Sequence, residues 1–161
     1  AALLGVQRGL EVHVLDRAQQ GAKPDAVRAL GATYHSAGVD EVTDRVKPDI
    51  VIEATGVAEL VWAAMSKTAA YGITCLTGVS GVGQQISLDL GGTNRSIVLE
   101  NDVVVGSVNA NLRHYAAAAE SLAKADNEWL RRLITRRVPL ADYQQAFAAQ
   151  PGDIKVVLSL R

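Results

Sequence analysis

Cys75 is the single cysteine of the chain. Neither an internal disulfide nor a thiolate metal cluster can form within it, a usage that suits a reducing compartment. No stretch of about 18 uninterrupted apolar residues occurs, so the sequence offers no membrane-spanning helix. The first residues lack the basic, apolar and cleavage-site order of a secretory signal. Charge of neither sign dominates: 16 Lys and Arg stand against 17 Asp and Glu, a formal net charge of -1. With no basic run and no stripe of basic and aromatic residues, nucleic acid is set aside as a partner. These absences lead to the expectation of a soluble cytoplasmic domain, without nucleic acid or membrane.

What is present is a chain of 161 residues and 48% hydrophobic content, enough for one compact domain with its own core. VHVLD (12–16), ATYHS (32–36), DIVIEATG (49–56), ITCLTGV (73–79) and DVVVGSV (102–108) read as short strands. DIKVVLSL closes the chain as a further strand. Between them DAVRALG (25–31) reads as a helix stopped by Gly31, and AELVWAAMSKTAAYG (58–72) as one closed by Gly72. NRSIVLEN (94–101), RHYAAAAESLAKA (113–125), NEWLRRLIT continuing helical before Pro139, and ADYQQAFAA complete the helices. Continuous apolar strands alternating with helices indicate an α/β fold, a doubly wound parallel sheet covered on both faces. No internal repeat, low-complexity tract or linker is visible.

In such sheets ligands bind beyond the carboxyl ends of the strands. The residues there are Asp16-Arg17, Ala54-Thr55-Gly56, Thr77-Gly78-Val79-Ser80 and Ser107-Val108-Asn109. They are small, glycine-bearing and hydroxyl-bearing, which lets a flat ligand approach the backbone. Asp16 occupies the kind of position from which a carboxylate accepts hydrogen bonds from an adenosine ribose; a helix cap or a solvated carboxylate fits that position equally well. The G-x-G-x-x-G turn that usually accompanies it is absent. Gly5 and Gly9 do not replace it, because they fall inside and at the end of the helix-like ALLGVQRG, where Gly9 reads as the cap. The Ala-Ala start within that pattern reads as a fragment, a Rossmann-type sheet truncated at the N-terminus whose first strand and glycine-rich turn would precede Ala1.

Taken together, VHVLDR followed by KPDAVRALGATYH, then PDIVIEATG, ITCLTGVSG, LENDVVVGSVNANLRHYAAAAESL, LITRRVPL and DIKVVLSL resemble the coenzyme domain of the medium-chain, zinc-type alcohol dehydrogenase superfamily. GSVNANLRHYAAA is most similar to its glucose 1-dehydrogenase branch. The resemblance runs over essentially the whole chain, residues 1–161, yet over only half or less of a two-domain member of about 300 residues. It implies that residues 135–161 return toward a zinc-bearing catalytic domain not contained in this sequence.

The resemblance further implies that Asp16 and Arg17 read the adenosine end of NAD or NADP, the carboxylate favouring free ribose hydroxyls and the guanidinium a 2′-phosphate. Thr55, in the Glu53 to Gly56 turn, would line the cleft between adenosine and nicotinamide. Thr77, Gly78 and Val79 would meet the nicotinamide carboxamide with their backbone, as would Ser107, Val108 and Asn109. Asn109 would also touch a sugar hydroxyl; as a helix cap before RHYAAAA it competes with Asn111. The implied reaction is oxidation of an aldose at C1 to the lactone by hydride transfer, with zinc polarising the oxygen. No zinc ligand set is present: His13, His35, His114 and Cys75 are scattered, Cys75 reads as a buried core residue, and His114 and Tyr115 read as capping or packing residues. No catalytic residue is therefore expected within the sequence.

Other readings have their own signatures. A short-chain dehydrogenase would carry Tyr-x-x-x-Lys, and none of Tyr34, Tyr71, Tyr115 or Tyr143 is followed by lysine at that spacing. Another zinc-type polyol or alcohol dehydrogenase of the superfamily remains open, as does a non-catalytic dinucleotide-binding or dimerisation module. The tail LITRRVPLADYQQAFAAQPGDIKVVLSL favours the enzyme. The apolar strand 102–108, if it ends the sheet, is an edge that calls for a homodimer or homotetramer.

Overall fold

Gly9 ends the first helix as the sequence leads one to expect. In the computed structural model, which describes residues 1–83 and 85–160, helix α1 (Ala2–Gln7) stops where Gly9 turns to φ 72°. The Gly9 amide then donates to Val6 O and the Leu10 amide to Gly5 O, which satisfies two of the orphan carbonyls of the last turn. Gly31, at φ 83°, ends α2 (Ala22–Ala29) in the same way, through Arg28 O and Val27 O.

The chain divides into two compact units, and each is described by itself. The first comprises Ala1–Ser36 and the chain from Asn111 to the end of the described residues. Here β1 (His13–Leu15) and β2 (Thr33–His35) pair in parallel, with Leu15 opposite His35. Helices α6 (Leu112–Ala123) and α7 (Asn127–Leu133) follow, and the buried Trp129 of α7 anchors on α2 by donating Nε1–H to Ala26 O at 2.8 Å. A second parallel pair, β6 (Ile134–Pro139) and β7 (Lys155–Ser159), is joined by a short 3-10 turn and α8 (Gln144–Phe147). Arg136 clamps that crossover, since its guanidinium meets Asp153 at 2.8 and 3.2 Å and donates to Gln145 O and Ala148 O. Ile134–Pro139 is thus a strand, where the sequence reads as helix running on from NEWLRRL. The hydrogen bonds of β7 claim this segment.

The second unit, Ala37–Ala110, holds a three-stranded parallel sheet in the order β3-β4-β5, formed by Ile50–Glu53, Ile73–Leu76 and Val103–Gly106. Helix α3 (Val39–Val46), unforeseen in the sequence, precedes it. Helix α4 (Ala58–Ser66) is shorter than 58–72, because the Ala69 and Tyr71 amides donate to Pro48 O and Glu100 O instead of continuing the helix. Helix α5 (Leu90–Glu100) begins earlier than expected, at an Asp89 cap that accepts from the Gly92 amide, and runs through Gly91 and Gly92.

Helix α4 covers one face of this sheet: Ala63 and Ala64 are buried, and fully buried Thr74 donates its hydroxyl to Ala64 O. The other face is not covered as the sequence pattern implies. Ile50, Ile73 and Val103 stand side by side in register, Ile52 and Val105 flank Cys75 two residues further on, and all five are exposed. Cys75 shares that face and is half-buried rather than buried.

Candidate functional site

Glu53 closes β3, an apolar strand, with a carboxylate that is only 5% exposed. A buried carboxylate is tolerated where hydrogen bonds replace its hydration. Oε1 accepts from the Thr55 amide at 2.7 Å, the Thr55 hydroxyl at 2.5 Å and the Gly56 amide at 3.1 Å, and Oε2 lies 3.2 Å from the same Gly56 amide. Burial pushes the Glu53 carboxyl up, but these hydrogen bonds outweigh burial and hold it below its ordinary value. The Thr55 hydroxyl also accepts from the Val57 amide at 3.0 Å. Its proton is therefore spent inside the turn, and Thr55 offers an outside ligand a lone pair and backbone only.

The turn after β4 leans on the turn after β3. The Thr77 amide and hydroxyl both donate to Glu53 O at 2.8 Å, and the Gly78 amide does so at 3.1 Å. Gly78 is required by this approach: a Cβ there would collide with the Gly56 amide nitrogen and stand 2.6 Å from Glu53 Oε2. Gly56, at φ 69°, faces the same limit, with Val79 O 2.5 Å from its imagined Cβ. Thr55, Gly56, Thr77, Gly78 and Val79 thus form one continuous wall, on which Thr55, Thr77 and Val79 are exposed. Ser107 continues it after β5, its amide donating to Leu76 O at 2.9 Å. Val108 and Asn109 follow, both exposed, with Asn109 in the left-handed region at φ 67°. The cap of α6 is Asn111, which accepts from the His114 amide while His114 Nδ1 faces the Asn111 amide. Asn109 is thereby excused from capping.

Asp16 and Arg17 belong to the first unit. Asp16 Oδ1 accepts from the Arg17 amide at 2.6 Å and the Ala18 amide at 3.4 Å, while Oδ2 pairs with Lys23 Nζ at 3.1 Å. Burial raises the Asp16 carboxyl; the Lys23 ammonium and the two amides together hold it below its ordinary value. Arg17 is exposed. Tyr34 steadies the loop by donating its hydroxyl to Ala18 O at 2.5 Å. Lys23 was not foreseen as a partner of Asp16, since seven residues separate them and only the loop brings them together. The Glu53 hub was also missed, although an acid ending the apolar run DIVIE was a signal for it.

The histidines are less scattered than their spacing implies. Parallel pairing of β1 with β2 stacks His13 on His35 with ring centroids 5.1 Å apart, and His13 Nδ1 meets His35 Nε2 at 2.8 Å. His13 Nε2 is 3.0 Å from Glu11. Among the described residues no group of three or more His, Cys, Asp or Glu could hold a metal ion. The zinc associated with the zinc-type dehydrogenases finds no fit in these residues.

Parallel α/β layers with small-residue turns at the strand ends are those of the Rossmann-type dehydrogenases. A glucose dehydrogenase from Haloferax mediterranei, solved in complex with NADP, Zn and gluconolactone, superposes with a TM-score of 0.89 at 28% identity, over 99% of this chain and 46% of that one. An alcohol dehydrogenase from Thermotoga maritima shares the fold, with a TM-score of 0.75 at 18% identity. The chain belongs to the family described as "Glucose dehydrogenase C-terminus", which matches residues 1–160. It is 38% identical over 153 residues to a glucose 1-dehydrogenase of Thermoproteus tenax and 37% identical over 152 to glucose 1-dehydrogenase 2 of Vulcanisaeta moutnovskia. In both cases it covers 92% of this chain and 43% of the relative, so the chain spans less than half the length of these curated relatives.

Proposed function

We propose that residues 1–161 are the dinucleotide-binding part of an NAD(P)-dependent glucose 1-dehydrogenase, with residues 135–161 as the segment that returns toward the catalytic domain; Arg161 lies outside the described residues. The observation that carries this reading is the wall built from Thr55, Gly56, Thr77, Gly78 and Val79, on a chain whose relatives are named glucose 1-dehydrogenases. The chemistry that NAD or NADP supplies when bound is acceptance of the hydride from C1 of the aldose, the sugar leaving as its lactone. Everything this chain contributes is binding and orientation. The backbone of Thr77, Gly78 and Val79 and of Ser107, Val108 and Asn109 holds the nicotinamide end, and Thr55 lines the middle. Asp16 takes the ribose hydroxyls of NAD, while the exposed Arg17 accommodates the 2′-phosphate of NADP. Both cofactors are thus accepted.

Asn109 reaches for a sugar hydroxyl, which its release from capping supports. In the full-length protein Asn109→Ala lowers glucose turnover more than it weakens dinucleotide binding, as steady-state kinetics with each substrate varied would show. Equal loss of both makes Asn109 structural. The enzyme works in the cytoplasm, in keeping with the lone cysteine, and no helix among the described residues is long and apolar enough to cross a membrane. It assembles as a homodimer or homotetramer along 102–108, where β5 ends its sheet with Val103 and Val105 exposed. Sedimentation of the full-length protein as a monomer would remove that assembly.

A further inference from the structure

The wall that faces the dinucleotide is assembled around one residue that itself faces inward. The carboxylate of Glu53 holds the first turn through Thr55 and Gly56, and its main-chain oxygen holds the second through Thr77 and Gly78. A Cβ on Gly56 would collide with Val79 O and one on Gly78 with the Gly56 amide nitrogen, so the two turns lie too close to admit a side chain between them. Each group that meets the carboxylate is a hydrogen-bond donor, so an ionised carboxylate suits the pocket and an amide does not: one face of a glutamine would turn its NH2 toward the Gly56 amide. We propose that Glu53 is a positioning residue for cofactor binding, its carboxylate setting the Thr55–Gly56 turn against the Thr77–Val79 turn so that the dinucleotide meets a preformed surface. It touches neither substrate nor reacting atoms and acts through the two turns. The inference rests on the functional reading above, in which those turns contact NAD or NADP. A preformed site saves the ordering cost that a loose one incurs on each binding event.

The test uses the full-length protein with Glu53→Ala and Glu53→Gln. Alanine strips the acceptor from the Thr55 and Gly56 amides; glutamine keeps one acceptor oxygen. The expected result for Glu53→Ala is a KM for the dinucleotide raised about ten-fold or more, with the KM for glucose at saturating cofactor changed less than about two-fold. Glu53→Gln recovers part of that loss. If circular dichroism shows that Glu53→Ala does not fold, Glu53→Gln by itself is expected to raise the dinucleotide KM about three-fold with the glucose KM changed less than about two-fold. Parallel changes in both KM values, a glutamine no better than alanine, or an unchanged dinucleotide Kd in the variants would each overturn the positioning role while leaving the functional reading intact. A wild-type enzyme that binds neither NAD nor NADP in calorimetric titration would instead remove the functional reading, and this inference with it.

Discussion

Asp16 in the first unit and Glu53 in the second each follow or close a parallel strand, yet their carboxylates are held in contrasting ways. Asp16 keeps part of its carboxylate in water and balances it with the Lys23 ammonium and two amides of its own loop. Glu53 is buried, and its carboxylate relies on the Thr55 and Gly56 amides and the Thr55 hydroxyl of its own turn, while its main-chain oxygen takes the Thr77 hydroxyl of the neighbouring one. An exposed carboxylate beside a lysine can exchange its partners for those of a ligand at small cost. A buried one cannot, because releasing its donors leaves polar groups without partners. Position at a strand end therefore does not by itself mark a ligand-reading acid: the degree of burial decides whether its carboxylate is free to change partners.

The sharpest way to break this contrast is at the contact that makes Glu53 necessary. Gly78→Ala forces a methyl against the Gly56 amide and is expected to destabilise the second unit by about 3 kcal/mol, the upper range for overpacking, as chemical denaturation would measure. A loss below about 0.5 kcal/mol would mean that the turns are not tightly apposed.

Acid comes next. Because the folded Glu53 carboxyl is held below its ordinary value, its stabilising contribution is fully present above the unfolded glutamate pKa of about 4.3 and is lost as pH falls through the lower folded value. Glu53→Gln should cost about 1–2 kcal/mol at neutral pH and converge with wild type as pH falls below the lowered folded value. A constant gap between the two denaturation curves across that range would contradict the assignment.

Asp16→Ala should be the mildest for stability, within about 0.5 kcal/mol, and should act on cofactor choice instead. The ratio of kcat/KM for NADP to that for NAD in the full-length enzyme is expected to rise once the carboxylate no longer repels a 2′-phosphate. Unchanged NADP use would take Asp16 out of cofactor reading.

Much of the architecture is legible in the sequence wherever local chemistry and tertiary context agree. VHVLD, DIVIE and DVVVG are rich in β-branched and apolar residues, and the strands fall within them. Gly9 and Gly31 end helices because only a residue tolerant of positive φ closes the last turn this way. Where the two levels disagree the sequence misleads. Gly91 and Gly92 hide the start of α5, which a side-chain cap from Asp89 establishes. RRLITRR alternates no more like a strand than like a helix, and its fate depends on β7. The brief spacing of Val39, Val42 and Val46 among charges conceals α3, which has no side-chain cap to announce it.

The site divides along the same line. Small residues beyond each strand are visible in sequence, because a turn in a tight approach needs them locally. The meeting of Gly78 with Gly56, of Asp16 with Lys23, and of His13 with His35 depends on loop paths and strand register that no local pattern carries.

The chain has two tryptophans, and the fold gives one to each unit. Trp129 is buried with its indole N–H bonded to Ala26 O; Trp62 sits half-buried on α4. Their emission should differ in wavelength and in quenching by iodide, the buried indole being bluer and better shielded. Trp62→Phe and Trp129→Phe would therefore turn intrinsic fluorescence into separate optical reporters, one for the lobe that bears Asp16 and one for the lobe built on Glu53, and the order in which the lobes melt could be followed without any external dye.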